Sequence, residues 1–181
     1  MKPSTKKLPH GKGTVTPYVS VKGAADFIDF LKRAFDAKEF GRVENPDGTI
    51  GHAEVQIGDS TLMMFDAKLE WQDTPSFLSI YVEDADDVFA QALKGGATQV
   101  TEMTTSNITG DHGGRIRDPF GNIWWIQTHL KDVTPEETAR LLQDPKELRN
   151  HAKNARDIRE GDGEAPKKEI FRLNQDIPLG I

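Results

Sequence analysis

Hydrophobic and polar positions change period along this chain and then repeat the same changes in the same order. From Thr14 to Val21 they alternate, with Val15, Val19 and Val21 opposite Thr16, Tyr18 and Ser20, which predicts a strand. Pro17 within it predicts an edge position or a bulge, because proline has no N–H to give a ladder. Over residues 23–36 the spacing becomes helical: Ala24, Phe27, Ile28, Leu31, Ala34 and Phe35 form one apolar stripe. Lys38 to Glu44 reads as a strand, Asn45-Pro46-Asp47-Gly48 as a turn, and Gly51 to Ile57 as another strand. That strand sets Ala53, Val55 and Ile57 against His52, Glu54 and Gln56. Gly58-Asp59 predicts a tight hairpin into a last strand, Thr61 to Asp66.

The β-α-β-β-β order then returns. Ser76 to Val82 alternates Leu78, Ile80 and Val82 with Phe77, Ser79 and Tyr81. Residues 84–94 carry Val88, Phe89, Ala92 and Leu93 at helical spacing, and Gly95-Gly96 ends that helix. Ala97 to Met103 predicts a strand, 104–110 a polar loop, and Gly113 to Arg117 a strand. Asp118-Pro119-Phe120-Gly121-Asn122 is a turn in which Pro119 sets φ and Asp118 and Asn122 hydrogen-bond locally. It feeds a final strand, with Ile123, Trp125, Gln127 and His129 on one face and Trp124, Ile126 and Thr128 on the other. Ala24 and Asp26 recur as Ala85 and Asp87, 61 residues on, so the chain holds a repeat at domain scale. Beyond it, Thr134-Pro135-Glu136-Glu137 and Asp144-Pro145-Lys146-Glu147 each announce a helix N-terminus, the second helix running to about Glu160. Residues 161–166 read as a linker. The last segment, with Ile170, Phe171, Leu173, Ile177, Leu179 and Ile181, is apolar enough to predict docking on its own domain or across a dimer.

Composition narrows the classes. The 181 residues include no cysteine, which excludes disulfides, thiolate nucleophiles and cysteine metal sites and fits a reducing, cytoplasmic interior. A net charge of −6 argues against nucleic acid as a partner, and no apolar run approaches the roughly 20 residues of a membrane span. Residues 1–13 are basic without an apolar stretch and are expected to form a disordered leader rather than a secretory signal. Residues 14–130 are expected to form one domain of two modules, 14–66 and 76–129, with 131–181 as C-terminal helices and an arm.

Candidate chemistry lies on the less apolar strand faces. Tyr18, Phe65, Phe77, Tyr81 and Trp125 offer flat aromatic surface, and His52, Glu54, Gln56, Gln127 and His129 offer polar tips. His112 beside Asp111 reads as part of a glycine-rich turn or a cavity rim. Arg115 and Arg117 share a strand face, as a solvated edge, an ion pair or a contact for an anionic ligand. Ser60 and Ser79 sit in no nucleophile elbow, and Gly110 to Arg115 lacks the spacing of a phosphate-binding loop. No catalytic residue is assigned.

Two tandem β-α-β-β-β units and the Asp118 to Asn122 turn resemble the vicinal oxygen chelate superfamily, which includes glyoxalase I, extradiol dioxygenases and the fosfomycin- and bleomycin-resistance proteins. The segments His52 to Ser60, Gly110 to Gly113 and Trp124 to Val133 resemble its PhnB-like branch. The resemblance implies an α+β fold: two tandem βαβββ modules forming a partly open, eight-stranded barrel-like sheet around a cavity, with helices outside and a C-terminal helical tail. Metal-dependent members hold one divalent ion on the first and last strands of each module. Matched strand by strand, those positions are Thr16, Met63, Phe77 and Trp125, which lack the imidazole or carboxylate such an ion wants.

The expected function is therefore metal-independent, cofactor-free binding of a small organic molecule, with His52, Glu54, Gln56, Phe65, Phe77, Tyr81, Trp125, Gln127 and His129 lining the cavity of a homodimer. Two alternatives stay open: a metal-dependent lyase, isomerase or dioxygenase using His52, Glu54 and His129, and a structural or interaction role.

Overall fold

A computed structural model describes residues 11–156, with side chains to residue 150. The expectations for the start of the leader, the linker from Gly161 and the apolar segment from Ile170 lie outside the described residues. So does the end of the last helix near Glu160.

Alternation and helical spacing produce the elements they predict. The first module is β1 (Tyr18–Val21), α1 (Ala24–Phe35), β2 (Lys38–Glu44), β3 (Ile50–Ile57) and β4 (Ser60–Asp66). The second is β5 (Phe77–Tyr81), α2 (Ala85–Lys94), β6 (Thr98–Gln99), β7 (Thr104–Ser106), β8 (Asp111–Arg117) and β9 (Ile123–His129). Two helices follow, α3 (Pro135–Leu141) and α4 (Pro145–Arg156). One sheet runs β1-β4-β3-β2; the other runs β5-β9-β8-β6, with β7 also paired to β8. In each the first strand lies parallel to the last, β1 on β4 and β5 on β9, and the remaining pairs are antiparallel. This is the expected α+β tandem architecture, as two open sheets with helices against one face of each.

The repeat is also visible at the helix starts, since Ala24 opens α1 and Ala85 opens α2. Each module satisfies these orphan N–H groups from the end of its last strand. Asp66 Oδ1 accepts from Gly23 N and Ala24 N at 2.8 and 2.9 Å, and Thr128 Oγ1 accepts from Ala85 N at 2.8 Å. Thr134 caps α3 as its sequence announced, accepting from Glu137 N.

Two expectations shift. The first strand begins at Tyr18 rather than Thr14, after Pro17, whose carbonyl still accepts from Met63 N at 3.0 Å. The strand expected over 97–103 shortens to Thr98–Gln99, and with β7 the described strands number nine. Val100 N and Thr101 N both donate to the Arg115 carbonyl, and Arg115 N donates to the Thr101 hydroxyl at 2.9 Å. A side chain thus takes a backbone place in the ladder, and regular pairing stops there. The supposed loop beyond it re-forms as β7, and β8 begins at Asp111 instead of Gly113.

Val19, Val21, Ala53, Val55 and Met64 of the first sheet and Ile116, Trp124 and Ile126 of the second turn toward the helices and are buried. α1 is buried on two sides, by its own sheet and by α2 and Phe120. Phe35 packs on Trp124 with ring centroids 4.7 Å apart, so one core crosses both modules. Among the described residues no helix is long and apolar enough to cross a membrane.

Candidate functional site

The opposite sheet faces carry the candidate residues. On the first, Tyr18 hydroxyl lies 3.0 Å from His52 Nδ1, His52 Nε2 lies 3.0 Å from Glu54 Oε1, and Lys12 Nζ reaches the same oxygen at 2.6 Å. A hydrogen on Nε2 satisfies both imidazole contacts, donating to Glu54 and leaving Nδ1 to accept from Tyr18. Lys12, then His52, holds the Glu54 carboxyl below the usual carboxylate range. Phe65 meets Tyr18 edge-on at 5.1 Å and Trp71 at 5.9 Å, so the aromatic strip extends past the strands. Gln56 shares the His52–Glu54 face.

On the second sheet, strand register aligns three rows. Trp125 stands between Ser79 and Arg115, Gln127 between Tyr81 and Gly113, and His129 beside Asp111. The Arg115 guanidinium lies 4.2 Å from the Trp125 ring centroid and 6.0 Å from that of Phe77, a cation–π arrangement on a buried arginine. Gln127 Nε2 donates to Ser79 Oγ at 2.7 Å. Gly113 makes room for that amide, because a Cβ there would sit 2.9 Å from Gln127 Cγ. Asp111 accepts from the Tyr81 hydroxyl at 3.3 Å and pairs with His129 Nδ1 at 2.8 Å, while His129 Nε2 meets Asp132 at 3.1 Å. Asp111 and then Asp132 push the His129 imidazole above its ordinary value. Burial, then the Asp111 charge, pushes the Tyr81 phenol up. Thr101, Thr104, Ser106 and Thr109 close over Asp111 and Arg115, leaving about 20 Å³, room for one water.

The predicted residues therefore form two groups, one per sheet. His52, Glu54, Gln56 and Phe65 belong to the first; Phe77, Tyr81, Trp125, Gln127 and His129 belong to the second. His52 and Glu54 meet, and His129 stands with neither; among the described residues no group of three or more His, Asp or Glu side chains is arranged to hold a metal ion. A cleft of about 890 Å³ lies between the modules, walled by Lys12, the β3–β4 turn and Phe35 on one side and by Leu78, Ile80 and Trp124 on the other. Of the predicted site residues only Tyr81 reaches it.

Lys12, Trp71 and Asp111 join these groups although periodicity does not place them there, and Arg115 joins from the strand face on which alternation puts it. The sequence puts Asp111 in a glycine-rich turn, and only its register with His129 reveals the pair. His112 lies on β8 rather than in a turn and faces the other way, between Thr105 Oγ1 at 2.9 Å and Asp86 at 3.0 Å. Arg115 is stacked and buried rather than part of a solvated edge, and Arg117 donates to the Gly121 carbonyl.

The donor set does not fit the divalent ion of the metal-dependent relatives. Met63 pairs in register with Tyr18, and Trp125 with Ser79, so these strand positions present thioether, phenol, indole and hydroxyl groups. Thr16 precedes β1 and donates to the Gly13 carbonyl.

The fold and these paired faces define a protein of tandem βαβββ modules. Residues 14–126 match the family model of the Glyoxalase/Bleomycin resistance protein/Dioxygenase superfamily, and the chain belongs to that superfamily. An uncharacterised protein of Mycobacterium bovis is 35% identical over 134 residues, covering 68% of this chain and 88% of the relative. The crystal structure of TioX from Micromonospora sp. ML1 matches with a TM-score of 0.55 at 22% identity, over 68% of this chain and 100% of TioX. A PhnB protein from Bacillus cereus, described as a putative 3-demethylubiquinone-9 3-methyltransferase, matches with a TM-score of 0.51 at 18% identity, over 64% of this chain and 99% of that one. At these identities the two structures show a shared fold.

Proposed function

We propose that this protein binds a small organic molecule without a metal, on the aromatic and polar sheet faces, as a cytoplasmic homodimer in the manner of the sequestering resistance proteins. The observation that carries the reading is the pairing of a metal-poor donor set with open aromatic faces. Tyr18 is 49% exposed, Phe77 52% and Tyr81 61%, so each sheet presents ring surface that a flat ligand, or the facing sheet of a second chain, would cover. Within this reading His52, Glu54, Gln56, Phe65, Phe77, Tyr81, Trp125, Gln127 and His129 are the contact residues. Residues 14–130 are the binding domain, and the segment after it supports the dimer. The rival metalloenzyme would draw His52, Glu54 and His129 together, yet His52 and Glu54 lie on the first sheet and His129 on the second.

Two measurements test this. Untagged protein purified without chelators should contain no stoichiometric metal by mass spectrometry, even after incubation with zinc, manganese, nickel and iron salts. A bound ion lost in His52→Ala would overturn the proposal. Planar aromatic probes should quench tryptophan fluorescence, and Trp125→Ala should weaken their binding roughly 3–10-fold, the worth of one aromatic stacking contact.

A further inference from the structure

The end of the β8–β9 ladder nearest Asp111 is finished in an unsymmetrical way. Asp111 and His129 are register partners in adjacent strands, so the backbone holds their side chains together. The Asp111 side chain is 10% exposed, and its two oxygens are divided between His129 Nδ1 and the Tyr81 hydroxyl. This contact fixes the imidazole plane and aims Nε2 away from the sheet. There Nε2 meets Asp132, which lies past the end of the strand with its side chain fully exposed. The imidazole thus has a built-in carboxylate behind it and a loosely held one in front. An exposed ion pair contributes little, so Asp132 leaves at small cost. Beside this point lie the ring of Tyr81 and the amide of Gln127, and beyond them Trp125 and Phe77.

We infer that the ligand of this face carries a carboxylate or a like anionic group that replaces Asp132 on His129 Nε2, while its flat apolar part lies over Tyr81 toward Trp125. Asp132 is then a placeholder that occupies the anion position when no ligand is bound. The inference rests on the small-molecule binding reading and names the ligand class for it. The charged and titratable groups around the imidazole are Asp111 from β8, Tyr81 from β5, Asp132, and the Lys131–Glu137 pair on the following segment. With carboxylates on both ring nitrogens, His129 is held toward its charged form, which suits an incoming anion.

The test compares 2-naphthoate with its uncharged analogue 2-naphthamide, titrated into the full chain at about pH 6, below the ordinary imidazole value. The carboxylate should bind more tightly than the amide. Asp132→Asn should tighten the carboxylate roughly 2–5-fold, the worth of the exposed contact it removes, and leave the amide unchanged. His129→Gln should erase the preference. Both side chains are largely exposed, and thermal melts of the two variants confirm that they fold. Equal binding of the two probes, or a carboxylate preference that survives His129→Gln, would overturn the inference while leaving the binding reading intact. If neither probe binds, the binding reading fails and takes the inference with it.

Discussion

Asp118 shows how much one side chain organises. Its Oδ1 accepts from Phe120 N and Asn122 N, both at 2.9 Å, and its Oδ2 accepts from Asn122 Nδ2 at 2.9 Å and Trp124 Nε1 at 2.8 Å. Asn122 in turn accepts from Ser76 N with its own side-chain oxygen, tying the turn to the start of β5. Gly121 takes a φ of 91°, which lets the turn close around the carboxylate. Asp118→Ala would strand several buried donors, and we expect it to cost about 2–4 kcal/mol, read as a lower urea midpoint. Turn chemistry made Asp118 and Asn122 legible in the sequence. The indole that completes the cluster was not, because Trp124 reaches the carboxylate only once the turn has folded back on the strand.

Between elements, Glu39 couples α1 to β2. Lys32 on the helix reaches it at 2.8 Å, and Arg42 on the strand grips both oxygens at 2.6 and 2.9 Å. Arg42 first, and Lys32 second, hold its carboxyl down to about 2 against an ordinary 4.5. A depressed carboxyl contributes stability that is present above the ordinary value and is lost as pH falls toward the depressed one. We therefore expect melting temperatures to drop between about pH 4.5 and pH 2, and Glu39→Gln to remove part of that drop. The contribution is modest, about 1 kcal/mol or less, because the pairs lie near the surface. Charge alternation along β2 marks such residues as exposed, but the helix-to-strand contact depends on how α1 lies against the sheet. The break between β6 and β7 has a similar origin. Its sequence alternates well enough for a strand, and a tertiary hydrogen bond from Arg115 N to the Thr101 hydroxyl interrupts it.

For the whole molecule, Phe120 is a join between modules. It belongs to the second yet packs on Phe27 and Phe30 of α1, with ring centroids 5.2 and 6.5 Å away. Phe120→Ala should cost about 2 kcal/mol in urea unfolding, less than a fully buried Phe because this ring is only partly buried at the seam. If the modules held together without this contact, the unfolding midpoint would hardly move. The same seam sets what one chain can present to a ligand. The hydrogen bonds and ring contacts of the candidate residues gather into one group on the first sheet and another on the second.

Some of this follows from the sequence alone: two β-α-β-β-β units offset by 61 residues, their apolar faces, the helix starts, and the superfamily. The units, faces and helix starts are written in periods of 2 and 3.6 residues and in turn chemistry, which neighbouring residues determine among themselves, and the superfamily in the resemblance of whole segments. The tertiary structure alone decided that Lys12 closes on Glu54, that Asp111 stands behind His129, that Arg115 lies on Trp125, and that His52 and His129 belong to different groups. Those outcomes depend on strand register and on one irregular break in a ladder, and a shift of one residue would turn every side chain of a strand to its other face.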